Sequence, residues 1–95
     1  MLIDIIKAVY IDGHRLRLIF EDGVEGELDF AKFLSFKGVF SPLREPSVFA
    51  QVRVNPDLGT ICWPNGADYA PEALYAKITG KPEVIEGKKT EYAEA

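Results

Sequence analysis

Residues 59–75 read GTICWPNGADYAPEALY. Thr60, Ile61, Cys62 and Trp63 form a short β-branched and apolar run that suits a strand. Pro64, Asn65 and Gly66 then signal a tight turn, because Gly accepts a positive φ and Asn bonds its own backbone. Pro71 opens a helix: its ring presets φ, and its missing N–H is one that the first helical position does not use. Leu74 and Ile78 are spaced for one helical face, and Gly80 followed by Pro82 provides a stop. The same stretch holds the only Trp, the only Cys and two of the four Tyr residues. Strand, turn and helix in such close order indicate an α+β domain.

Working back from this stretch, Val52 to Asn55 reads as a strand. Asn55-Pro56-Asp57-Leu58-Gly59 is the turn that joins it to Thr60. Residues 5–30 read as two earlier hairpins, with turn dipeptides at Asp12-Gly13 and Asp22-Gly23. Between these dipeptides Leu16, Leu18 and Phe20 alternate with Arg15, Arg17 and Ile19. After them Val24, Gly26 and Leu28 alternate with Glu25, Glu27 and Asp29. Each strand thus has an apolar face for a core and a largely charged face for solvent.

Loop length decides which faces match. A two-residue turn at Asp22-Gly23 would set Phe20 opposite Glu25, mixing apolar and charged side chains on one face. A three-residue loop, Glu21-Asp22-Gly23, pairs Phe20 with Val24, Leu18 with Gly26 and Leu16 with Leu28, with Gly23 at the left-handed position. Arg17 then faces Glu27 and Arg15 faces Asp29. Such exposed pairs contribute only about 0–1 kcal/mol each, so they are read as sheet decoration rather than a binding strip. For the first hairpin, a two-residue Asp12-Gly13 turn sets Val9 against Leu16 and Ile5 against Phe20. It leaves Lys7 on the apolar face, where it would have to snorkel from an open end.

Between the hairpins, Phe30, Phe33, Leu34, Phe36, Val39, Phe40 and Leu43 are irregularly spaced and broken by Gly38, Pro42 and Pro46. Asp29 is placed to cap a short helical turn through Phe33 or Leu34. The segment around Ser41 and Pro42 reads as an anchored connection, and Ser47 to Ala50 as another short turn. The expected architecture is α+β, with a small antiparallel sheet of about five strands built from hairpins, short helices and one C-terminal helix. Residues 1–80 are expected to form this single domain, and residues 81–95, charged with few large apolar groups, a polar C-terminal tail that could instead add a strand to a neighbouring sheet edge.

Composition narrows the function. Eleven basic residues against fifteen acidic ones give a net charge of −4, with the basic residues scattered, so no face is expected to grip the phosphates of nucleic acid. One Cys and one His exclude an internal disulfide and a four-ligand zinc site of the usual kind. No cofactor or metal is expected. A reducing, cytoplasmic setting fits, with neither a signal peptide nor a run of the roughly 20 apolar residues that a membrane span needs. His14, alone in its turn, is expected to be solvated, and Cys62 to pack in the core.

Because Pro71 places Ala70 at the N-cap, Asp68 lies too early to cap the helix in the standard way. It is left with three roles: approaching the helix N-terminus, closing the Asn65-Gly66 turn, or binding. Trp63, Asn65, Gly66, Asp68, Tyr69 and Tyr75 are therefore the candidate binding or motif residues. The plainer reading is that Trp63 plugs the core and the polar residues hold the loop. No catalytic residue is assigned.

The fragments Phe20-Glu21-Asp22-Gly23, Val39-Phe40-Ser41-Pro42-Leu43 and Ile61-Cys62-Trp63-Pro64-Asn65-Gly66-Ala67-Asp68, together with Pro71-Glu72-Ala73-Leu74-Tyr75, resemble a small bacterial family catalogued as domain of unknown function 2442. The resemblance spans about residues 5–80. It implies a compact α+β domain with an antiparallel sheet and short helices. It also implies the company of some relatives that carry a helix-turn-helix domain and of others encoded beside toxin-like proteins. The leading expectation is a non-enzymatic protein-interaction or regulatory module, antitoxin-like, whose partner is another protein or a second copy. The rival is a small-molecule-binding domain or weak enzyme using the 63–68 turn.

Overall fold

The computed structural model describes residues 3–80, together with the backbone of two short strands further on. Its first sheet has three antiparallel strands in the order β1 (Ile5–Asp12), β2 (Arg15–Phe20) and β3 (Glu25–Asp29). The β2–β3 hairpin closes through the expected three-residue loop. Leu18 lies opposite Gly26, Leu16 opposite Leu28, Arg17 opposite Glu27 and Arg15 opposite Asp29. The loop is tied by backbone bonds from Phe20 N to Val24 O (2.8 Å) and from Gly23 N to Phe20 O (2.9 Å), with Gly23 at φ 92°. A residue with a side chain would be strained there.

The first hairpin departs from its expected register. Ile5 does face Phe20, but Val9 faces Arg17, and the loop is Gly13-His14 rather than Asp12-Gly13. Two bulges in β1 cause this, one inserting Ile6 and one inserting Ile11. Side chains alternate with period 2, so each extra residue moves the side chains beyond it to the opposite face. Ala8 and Tyr10 thereby reach the core side opposite Leu18 and Leu16, and Lys7 turns outward opposite Ile19. The bulges remove the burial problem that the regular register gave Lys7.

After β3 the chain takes a 3-10 turn, Phe30–Lys32, capped as expected by Asp29, whose carboxylate accepts from Ala31 N at 3.0 Å. A second 3-10 segment, Gly38–Arg44, and the short helix α1 (Pro46–Phe49) carry Leu43 and Phe49 into the core. The third hairpin forms from β4 (Arg53–Asn55) and β5 (Thr60–Cys62). Five expected strands are present, but divided between a three-stranded and a two-stranded sheet. The two meet at the start of β1, where Ile5 N donates to Gly59 O at 2.9 Å.

Helix α2 (Pro71–Thr79) begins at the proline, with Ala70 extended and offering no side-chain cap, and stops at Gly80. Leu74 is fully buried, which by area is worth about 1.5–3 kcal/mol. One turn later Ile78 packs on β3 at Gly26, where a Cβ would come within 2.8 Å of its Cγ2. That close approach explains a glycine inside a strand. The core joins Leu16, Leu18 and Phe20 of β2 to Phe30, Phe49, Ile61 and Trp63. Of the charged segment read as a tail, β6 (Val84–Ile85) and β7 (Lys88–Lys89) form an antiparallel pair, and the remainder lies outside the described residues. No helix of the described residues is long and apolar enough to cross a membrane.

Candidate functional site

Trp63 leaves β5 directly into the core. It is 2% exposed, and its indole N–H donates to Phe49 O at 2.9 Å. Its ring lies 5.6 Å from that of Phe49 and 6.5 Å from that of Phe30. The next turn closes by Gly66 N donating to Trp63 O and by Trp63 N donating to Ala67 O, both at 2.9 Å. Gly66 has φ 93°, so the turn depends on a residue without Cβ strain. Asn65 uses both ends of its amide: its oxygen accepts from Ala67 N at 3.1 Å, and its nitrogen donates to Val39 O at 2.8 Å. It therefore shapes the turn and ties it to the Gly38–Arg44 segment.

Asp68 forms a backbone bridge with Cys62, but its carboxylate is exposed. Among the described residues it has no hydrogen bond or ion pair. Of its three expected roles, turn closure falls to Asn65. Tyr69 accepts at its carbonyl from the buried Thr60 hydroxyl, and its ring packs on Phe30, Phe33 and Phe40. Tyr75 points away, to the β2–β3 loop, where its hydroxyl donates to Asp22 at 2.6 Å and its ring stands edge-on to Phe20. That bond holds the Asp22 carboxyl below the ordinary carboxylate range, helped by Val24 N, and raises the Tyr75 hydroxyl above its usual value. The motif thus gathers Trp63, Asn65 and Gly66 in one turn, links Tyr69 to it through Phe30, and sends Tyr75 elsewhere.

His14 is not solvated as expected. It is half-buried between Phe36 and Phe49, each 4.9 Å from its ring, and its Nε2 bonds Leu43 O at 2.8 Å. A carbonyl only accepts, so that nitrogen carries the proton. The contact pins the β1–β2 loop to the second 3-10 segment, a link over 29 positions that the local sequence does not signal. Cys62 is half-buried, opposite the exposed Arg53 on β4, a basic neighbour that sequence spacing missed. No group of three metal-ligating side chains occurs among the described residues.

The charged outer face of the first sheet forms as expected, with the expected Arg17–Glu27 pair and a different ion-pair partner for Arg15. Arg17 meets Glu25 (3.2 Å) and Glu27 (3.4 Å), whereas Arg15 binds Asp12 (2.8 Å) and reaches Glu27 (3.8 Å) rather than Asp29. The Asp12 carboxyl is lowered, first by its hydrogen bond from Arg15, and the Arg15 guanidinium is raised by the same bond.

One site escaped the sequence reading. A groove of about 550 Å³ opens where the edge of β3 meets the Phe30–Lys32 turn and α2. Leu28 and Phe33 line it together with the charged side chains of Arg15, Glu27, Asp29, Lys32 and Lys77. Its residues come from four separate elements, and no local motif marks them.

Residues 5–80 match the family described as protein of unknown function DUF2442, the same span over which the motif resemblance runs. No curated protein and no solved structure matches the chain. With most of its length matched, including every element from β1 to α2, the chain belongs to the DUF2442 family.

Proposed function

We propose that this domain is a non-enzymatic, cytoplasmic interaction module that acts as a regulatory or antitoxin-like partner of another protein. The observation that carries this reading is the side of β1 away from β2, which the β4–β5 hairpin packs on without forming a strand ladder. This edge strand holds Ile6 59% exposed and Val9 40% exposed. Among the described residues its only backbone bond beyond β2 is the one from Ile5 to Gly59. An edge with unpaired backbone groups and apolar side chains can take up an added strand. The occupant that fits is an extended apolar segment of a partner protein. The two bulges leave only residues 7–10 in regular register, long enough to dock a short segment but poorly suited to open-ended sheet growth.

The test compares proteins captured from native cells by the wild-type chain and by a doubly substituted Ile6→Lys, Val9→Lys chain. A partner recovered by the first and lost by the second supports the reading. Recovery of no partner, with a monomer mass in sedimentation at high concentration, overturns it.

The exposed Asp68 carboxylate favours a second reading, a small-molecule site on the 63–68 turn. A metabolite screen by thermal shift in which Asp68→Asn abolishes every stabilising hit supports that reading. A screen without hits removes it.

A further inference from the structure

The groove between β3 and α2 carries five charged side chains, and their partners divide them into two sets. Arg15 is held by Asp12 through two hydrogen bonds, at 2.8 and 3.0 Å. Glu27 is held by Arg15 and Arg17, and Asp29 caps the Phe30–Lys32 turn. Those three are already compensated within the fold. Lys32 and Lys77 are exposed and make no hydrogen bond or ion pair among the described residues. Lys77 is not randomly placed: its ammonium sits over the ring of Phe33, another residue of the groove lining, 4.4 Å from the centroid. A protein of net charge −4 thus places two cations without an ion-pair partner among the described residues beside the apolar side chains of Leu28 and Phe33.

The volume is in the range of small-ligand and side-chain pockets, roughly 300–1,000 Å³. The chemistry that complements it is a carboxylate next to an apolar or aromatic group. A phosphate-rich polymer, charged at every repeat, is disfavoured, since the Glu27 and Asp29 carboxylates lining the groove and the net charge of −4 repel a polyanion far more than a single carboxylate. We infer that Lys32 and Lys77 bind a carboxylate of an acidic, aromatic-containing segment of a protein partner in this groove. The naming of a protein as the source rests on the interaction-module reading above. The groove itself does not.

The experiment is an amide chemical-shift titration of the full ¹⁵N-labelled chain. Its probe is the blocked peptide acetyl-Ala-Glu-Phe-Glu-Ala-amide, run beside the same peptide with Gln for Glu and beside sodium glutarate. The expected result is perturbation centred on the amides around Lys32 and Lys77, at least about fivefold weaker with the Gln peptide, as charge-assisted bonds require. Lys32→Gln and Lys77→Gln should each weaken apparent affinity about 5- to 10-fold, and Lys77→Arg should restore most of it. Both lysines are exposed, so an unchanged spectrum in the unbound variants confirms the fold. Equal binding of the Gln peptide, or no effect of either Lys→Gln change, overturns the site. Glutarate binding as tightly as the peptide overturns a protein segment as the ligand. Cell capture separates the two readings. A partner retained by the Lys32→Gln, Lys77→Gln chain sinks the groove alone, whereas no partner for the wild type beside a successful titration sinks the interaction module alone.

Discussion

The 63–68 turn and the groove beside α2 use polar groups in opposite ways. In the turn, the Trp63 N–H, both ends of the Asn65 amide and the backbone groups of Gly66 and Ala67 all bond within the fold. In the groove, Lys32 and Lys77 are left uncompensated. A distinctive motif is therefore no guide to where unpaired charge lies. Rare residue types mark the place where the backbone is hardest to build, and common lysines mark the place where charge is available. If this contrast holds, substitutions in the turn act on stability, and those in the groove act on binding.

Trp63→Ala offers the largest effect. It empties a core site shared with Phe30 and Phe49 and strands the Phe49 carbonyl. A loss of about 3–5 kcal/mol in urea unfolding, monitored by circular dichroism, is expected. Trp63→Phe keeps most of the ring but not the bond, and should cost about 1–3 kcal/mol. A Trp63→Ala protein that folds normally but loses a ligand would reverse the comparison.

Gly26→Ala comes next, because the added Cβ would meet Ile78 on α2 at 2.8 Å. Overpacking of this kind costs about 1–3 kcal/mol, and Ile78→Val, which keeps the clashing Cγ2, should recover little of it. Close behind is Asn65→Ala, which breaks the bonds to Val39 and Ala67 and should cost about 1–2 kcal/mol. Asn65→Ala, whose bonded partners lie outside the groove lining, should leave peptide binding in the groove intact wherever the protein remains folded.

How much of this could be read beforehand differs even between neighbouring hairpins. For β2 and β3, face matching and a glycine in the left-handed position both pointed to one loop length, and the register came with it. For β1 the same logic leaves Lys7 on the apolar face, a conflict that signals an irregular strand without showing where the chain bulges. Bulges at Ile6 and Ile11 leave no local signature, since isoleucine serves equally in regular strands. The division of the strands into two sheets was also hidden, because hairpins report neighbours in sequence and not which hairpins join. The burial of His14 is hidden for a similar reason: its partners Phe36, Leu43 and Phe49 are brought in by segments far along the chain. The groove depends on β2, β3, the Phe30–Lys32 turn and α2 together, so only the assembled fold displays it.

A pH-dependent contribution comes from Tyr75 and Asp22, which join α2 to the β2–β3 loop. The folded Asp22 carboxyl titrates below its ordinary 3.8. Its stabilisation is therefore present above that value and is lost as pH falls through the lower folded pKa. The Tyr75 hydroxyl titrates above its ordinary 10.0, so the same bond persists to higher pH and is lost as the phenol ionises. Tyr75→Phe should lower the urea midpoint across the neutral range and flatten the acid limb of a plot of stability against pH, the two curves converging as pH falls through the folded Asp22 value. Both groups are solvent-accessible, and high salt should shrink the difference. An acid limb unchanged by Tyr75→Phe would assign that limb to other carboxylates.

Asp68→Asn carries the smallest expected change. It lies beside Asn65 and Trp63 in sequence, yet its carboxylate has no partner among the described residues. Substitution should keep stability within about 0.5 kcal/mol of the wild type, in the range of surface changes that break no contact. That outcome sets it apart from Asn65, three positions earlier, and makes Asp68 the one polar side chain of the turn not tied to building it. A loss above about 1 kcal/mol would instead show that the carboxylate supports the helix N-terminus, where a negative charge is worth roughly 0.3–1 kcal/mol and more when partly buried. The turn would then hold no free polar group, and its contrast with the groove would be complete.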